Sequence, residues 1–199
     1  MRRQLPVWVS ILLMALVASA SACASATLTP VPATSAQPGG LPTPAPNTSE
    51  VGGVPVDMPA RPQKGFRAPE FVLLNLEGEE VSLSDSSGQP VLINFWATWC
   101  PPCREELPAI QATYQNSDDL AVLGVNFQEG LTNVKSFVEQ EGLTFPVLLD
   151  EEGRLALLYR VRSLPTSFFL NPDGIITTVH IGPMTANDVD NYVAQARGK

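Results

Sequence analysis

Cysteine and histidine are scarce in this chain. Its 199 residues hold three cysteines, Cys23, Cys100 and Cys103, and one histidine, His180. A structural zinc takes four ligands; with Cys23 in an export-type segment, too few remain. Covalent haem attachment needs a histidine directly after the second cysteine of a CxxC pair, and Arg104 stands there. Basic residues are few as well: 12 Lys and Arg against 20 Asp and Glu, a net charge of −8. That balance disfavours a nucleic-acid partner. The apolar run at residues 7–20 is short for a bilayer span, which takes about 20 residues.

What the N-terminus does have is the form of a secretory signal. Met1-Arg-Arg-Gln4 is positive, the apolar run follows, and Ala20-Ser-Ala-Cys23 closes it with small residues. Residues 1–23 resemble a signal ending in a lipobox, in which the chain is cut before Cys23 and that cysteine carries lipid. An uncleaved anchor helix over residues 5–26 and ordinary cleavage to a free exported form are the alternatives. All three place the rest of the chain outside the cytoplasm, and the first two attach it to a membrane. An odd cysteine count in an exported protein asks for an explanation. With lipid on Cys23, Cys100 and Cys103 remain as one pair and no stapling disulfide is left over, so the pair serves exchange.

Residues 24–64 are dominated by Pro, Ala, Thr, Ser and Gly and show no apolar period. They read as a disordered leash. A flexible coil of that length spans about 35–40 Å, and its prolines stiffen it further. Residues 65–199 form the folded domain.

The domain is organised around Val91-Leu-Ile-Asn-Phe-Trp96 and the Cys100-Pro-Pro-Cys103 that follows after three residues. The first stretch reads as a central strand buried on both faces. A helical pattern begins after the cysteines, so the pair sits at a helix start. There, unpaired N–H groups and the helix dipole favour an anion, and the thiolate is the nucleophile of disulfide exchange. Pro101 and Pro102 suit the first helical positions and stiffen the loop. The first N–H inside the motif belongs to Cys103. Cys100 is thus expected to be the exposed attacking sulfur and Cys103 the shielded resolving one.

The remaining pattern predicts two short strands around Glu77-Gly78, a helix through residue 115 kinked at Pro108, and a second buried strand at residues 120–126. A helix at 132–140 ends before Gly142, an extended piece covers 145–149, and a short helix covers 153–159. A hairpin turns at Asn171-Pro-Asp-Gly174, and a closing helix covers 185–197. This is an α/β domain with a mixed sheet flanked by helices.

Trp99-Cys-Pro-Pro-Cys103 and the distant Leu164-Pro-Thr166 resemble the thioredoxin superfamily. The opening Ala68-Pro-Glu-Phe-Val-Leu-Leu-Asn-Leu-Glu-Gly78 and Glu105-Glu-Leu-Pro108 narrow the resemblance to the membrane-anchored TlpA/ResA-like thiol–disulfide oxidoreductases, a branch related to AhpC/TSA proteins. The resemblance implies a thioredoxin fold with an extra N-terminal β-hairpin. It implies a cis Pro165 facing the cysteines, with the Leu164 backbone offered to an extended substrate, and Trp99 as the active-site tryptophan. Thioredoxins proper carry a buried aspartate six residues before the first cysteine; here that place is Asn94, which does not titrate. ResA-like proteins instead have a glutamate three residues after the second cysteine, here Glu106. Helical spacing puts it on the face of Cys103, where a buried carboxylate can accept the resolving thiol's proton. Glu129 is a weaker candidate for the same task. His180 reads as an ordinary strand residue.

The resemblance further implies an enzyme without a cofactor that reduces disulfides of exported proteins, such as an apocytochrome c before haem attachment. It also implies a membrane dithiol donor of the CcdA/DsbD kind. Two alternatives use the same thiols. A peroxiredoxin-type peroxidase shares the Ala68-Pro-Glu-Phe71 opening, but such sites have threonine three residues before the cysteine, where this chain has Ala97. A copper chaperone would use the soft thiolates, with His180 as the one histidine available.

Overall fold

The computed structural model describes residues 60–198. The signal, anchor and Cys23 lipidation readings, and the leash up to residue 59, lie outside the described residues. Among the described residues, no helix is long and apolar enough to cross a membrane.

The described residues begin their secondary structure with β1 (Val72–Asn75) and β2 (Glu80–Ser82), an antiparallel pair. The Asn75 side chain builds the turn: its Oδ1 accepts the N–H groups of Glu77 and Glu79, each at 2.9 Å. Gly78 supplies the positive φ of 81° that the turn requires. A 3₁₀ turn over Leu83–Ser86 leads to β3 (Val91–Trp96). Then come α1 (Pro101–Gln115), β4 (Ala121–Phe127), α2 (Leu131–Glu141) and β5 (Val147–Asp150). The chain closes with α3 (Arg154–Leu158), β6 (Thr166–Leu170), β7 (Ile176–Ile181) and α4 (Ala186–Ala196).

The seven strands form one sheet in the order β2-β1-β5-β4-β3-β6-β7. β3, β4 and β5 run parallel, and β1 and β6 join them antiparallel. The added N-terminal hairpin extends the β5 edge. β3 lies deep inside the sheet and every one of its residues is buried. Its side chains alternate between two apolar layers. Leu92 and Trp96 join Cys103, Leu107 and Ile110 of α1, Val134 of α2 and Val189 and Val193 of α4. Ile93 and Phe95 face Leu155, Tyr159 and Phe168 on the other side. Asn94 shares the first face with Leu92 and Trp96 and is the one polar residue of the strand.

α1 continues through Pro108 to Gln115, as its sequence pattern predicts. The proline lies on the exposed face beside Arg104 and Glu105, so the carbonyl that loses its N–H partner is left to water. Residues 60–64, read from composition as the end of the leash, are tied to the domain. Arg61 N donates to Arg67 O at 2.9 Å, Gly65 N to Ile176 O at 2.8 Å, and the Arg61 guanidinium lies 5.2 Å from the Phe66 ring centre. Backbone bonds and one stacked cation hold them, and the segment has no apolar side chain larger than those of Ala60 and Pro62.

Candidate active site

The end of β3 delivers the chain to the site. Ala97 is buried against the α1 layer, and Cys100 N donates to Ala97 O at 3.2 Å, which closes a turn. Cys100 then serves as the N-cap of α1, with Pro101 and Pro102 in its first positions. Cys103 N donates to Cys100 Sγ at 3.3 Å. The sulfur thus occupies the place of a capping oxygen and takes one of the orphan helix donors. Cys100 and Cys103 are bridged, with S–S 2.06 Å and Cα–Cα 5.3 Å.

The expectation of an exposed Cys100 is corrected. In the bridged form it keeps 4% of its surface against 0% for Cys103. Both sit in the apolar layer with Trp96, Ala97, Leu107 and Met184. Trp99 is the exposed neighbour, at 62%. Its side chain adds little to the core, so its removal is not a packing lesion. A Trp99→Ala variant is expected to hold its unfolding free energy within about 0.5 kcal/mol while its kcat/KM for a peptide disulfide falls. Urea titration beside steady-state kinetics measures both.

Behind the disulfide lies a buried polar network. Glu106, one turn after Cys103, is fully buried. Its Oε1 accepts Asn94 Nδ2 at 2.7 Å and its Oε2 accepts Met184 N at 2.9 Å. Asn94 Nδ2 also donates to Ser167 Oγ of β6 at 2.9 Å. Loss of water pushes the Glu106 carboxyl up to about 7, because burial outweighs the two hydrogen bonds that favour the anion. Glu106 therefore changes charge near neutrality, one helical turn from the resolving sulfur.

The Leu164–Pro165 bond is cis. Leu164 packs against the layer that holds the cysteines, and Pro165 is buried at the start of β6. Pro165 O accepts Gly182 N at 2.9 Å. β6 and the loop after β7 thus reach the site together, and that loop supplies Met184 N–H to Glu106. Glu129, beyond the end of β4, binds the Thr98 backbone N–H at 2.7 Å. His180 lies on β7 with Nδ1 3.3 Å from Tyr192 Oη. It belongs to no group of three His, Cys, Asp or Glu side chains placed to hold a metal ion among the described residues.

The sequence reading missed Ser167, the Met184 N–H and the Glu129–Thr98 link. It took Asn94 only as a position that does not titrate, although a polar residue inside an otherwise apolar buried strand is a signal that a partner awaits it. The other three come from segments distant in sequence and carry no local mark.

Comparison with known proteins agrees with this geometry. The model of the AhpC/TSA family matches residues 65–179. Thioredoxin-like protein YneN of Bacillus subtilis is 42% identical over 132 residues, 64% of this chain and 77% of that protein. Thiol-disulfide oxidoreductase ResA of Geobacillus thermodenitrificans is 38% identical over 131 residues, 65% of this chain and 75% of that one. The crystal structure of StoA from Bacillus subtilis superposes with a TM-score of 0.57 at 37% identity, covering 67% of this chain and 98% of the other.

Proposed function

The chain belongs to the AhpC/TSA family and is a thiol–disulfide oxidoreductase; we propose that it works outside the cytoplasm, tethered to the membrane, as a reductant of disulfides in exported proteins. The observation that carries this reading is the bridged Cys100–Cys103 pair at the start of α1, with Cys103 N–H on Cys100 Sγ and buried Glu106 one turn further on. The charged start at Arg2 and Arg3, and Cys23 after small residues, support export and lipid attachment.

In the reduced enzyme the Cys100 thiolate, held at the helix N-terminus, attacks one sulfur of a partner disulfide. That S–S bond breaks, the other partner sulfur leaves as a thiolate, and a mixed disulfide forms. The Cys103 thiol gives its proton to Glu106 and its thiolate attacks Cys100 Sγ. The mixed disulfide breaks, the partner leaves as a dithiol, and two electrons have passed from the pair to the partner. Trp99, exposed next to Cys100 in the chain, and the Leu164–Pro165 backbone position the extended partner segment. An apocytochrome c, whose CxxCH must be reduced before haem attachment, is the substrate class this reading favours. A membrane dithiol carrier of the CcdA/DsbD kind then restores the open form.

Equilibration of the Cys100–Cys103 couple with glutathione redox buffer tests the direction. A reductase shows a potential below about −250 mV, in the range of thioredoxin. A value near about −120 mV, that of a strong oxidant, reverses the assignment.

A further inference from the structure

Cys100 and Trp99 hang on the connection between β3 and α1, and the middle of that connection is pinned from another strand. Glu129 stands just beyond β4 and before Gly130, the N-cap of α2. Its Oε2 accepts the Thr98 backbone N–H at 2.7 Å and its Oε1 accepts the Thr98 hydroxyl. Asn126 Nδ2 donates to the same Oε2 at 2.8 Å. Asn126 is fully buried and lies in register with Trp96 at the end of β3. One carboxylate therefore ties the ends of both parallel strands to the residue two places before the attacking sulfur.

We propose that Glu129 is a positioning residue for the exchange reaction, holding Thr98 so that Cys100 stays on the helix N-terminus and Trp99 stays beside it. This rests on the reading of Cys100 as the nucleophile. Every contact of the Glu129 carboxylate is a donor aimed at it. Hydrogen-bond geometry is what the site uses, and an amide can reproduce it. A glutamine oxygen accepts Thr98 N–H and Asn126 Nδ2, and its N–H donates to Thr98 Oγ1, since a hydroxyl accepts as well as donates. An alanine leaves the connection free and loosens the cap that stabilises the thiolate.

The test uses the full-length chain in detergent, reduced, with dithiodipyridine as the disulfide probe and a pH–rate profile for each variant. Glu129→Ala is expected to react about fivefold more slowly at pH 7, the scale of a lost cap, with the midpoint of its profile moved to higher pH. Glu129→Gln is expected to retain the wild-type rate and midpoint. If negative charge beside the sulfur were the determinant, both variants would move the midpoint to lower pH. That result, or an unchanged Glu129→Ala, overturns the proposal. Should Glu129→Ala fail to fold, Thr98→Val serves instead. It keeps the backbone bond, loses the hydroxyl bond, and is expected to slow the probe reaction in the same direction by about twofold. An unchanged rate there counts against positioning. The wild-type reaction with a peptide disulfide runs alongside. Its failure removes the reductase reading and leaves the Glu129 comparison standing, because the small probe needs no protein partner.

Discussion

A Cys103→Ser variant is expected to accumulate a stoichiometric covalent adduct when its reduced form meets a peptide disulfide. The adduct bridges the Cys100 sulfur and one partner sulfur and persists until an outside thiol releases it. The geometry makes the substitution clean. The N–H that reaches Cys100 Sγ at 3.3 Å belongs to the backbone of residue 103, so serine leaves the cap and the nucleophile in place. It removes only the sulfur that completes the exchange. Turnover then falls by about a thousandfold or more, as when a group acting in a single catalytic unit is lost. Cys100→Ser gives neither adduct nor turnover. Non-reducing electrophoresis and mass spectrometry of the trapped species measure both outcomes. An adduct on Cys103 in the Cys100→Ser protein, with none on Cys100 in the other, would reverse the assigned roles.

The second large effect belongs to Glu106. Its carboxyl is raised from 4.5 to about 7 by burial. In the folded protein it takes a proton as pH falls through about 7, whereas in the unfolded chain it stays ionised down to about 4.5. The folded state therefore binds more protons between those two values, and stability rises as pH falls across that window. This is opposite in sign to a salt-bridged carboxylate. From pH 8 to pH 4.5 the group contributes about 3 kcal/mol of added stability. Glu106→Gln is expected to remove that slope and to be the more stable protein at pH 8. The glutamine fits, because its oxygen accepts Met184 N–H and its amide donates to Asn94 Oδ1 once that amide turns over. In the present arrangement Asn94 Oδ1 is buried without a partner. The cost is catalytic. The resolving step in the parent accelerates as pH rises through about 7. In Glu106→Gln it is expected to be about a hundredfold slower at pH 8 and to lose that dependence, the scale of a removed general base. Urea unfolding from pH 4.5 to 8, with stopped-flow release of partner from the mixed disulfide, decides it. A stability profile unaltered by Glu106→Gln would refute the account of the buried carboxyl.

The two effects differ in how legible they were. Proximity in sequence was enough for the disulfide: two cysteines separated by prolines at a strand-to-helix junction define their own loop and cap. The same holds for the apolar run of β3 and the Asn171-Pro-Asp-Gly174 turn. Each is set by local backbone preference and burial period. Even so, the degree of exposure of Cys100 was misjudged. It depends on the apolar layer in which the bridge sits, and that layer includes Met184, far along the chain.

For Glu106, spacing placed the side chain on the face of Cys103 but said nothing of its charge. That required Asn94 from β3 and the Met184 N–H from the loop after β7 to meet it in a space without water. Sequence alone determined that the sulfurs stand together at the start of a helix, because that is a matter of neighbours along the chain. Only the tertiary structure decided the proton affinity of Glu106 and the grip of Glu129 on Thr98. Desolvation and long-range hydrogen bonds exist only once distant segments have packed.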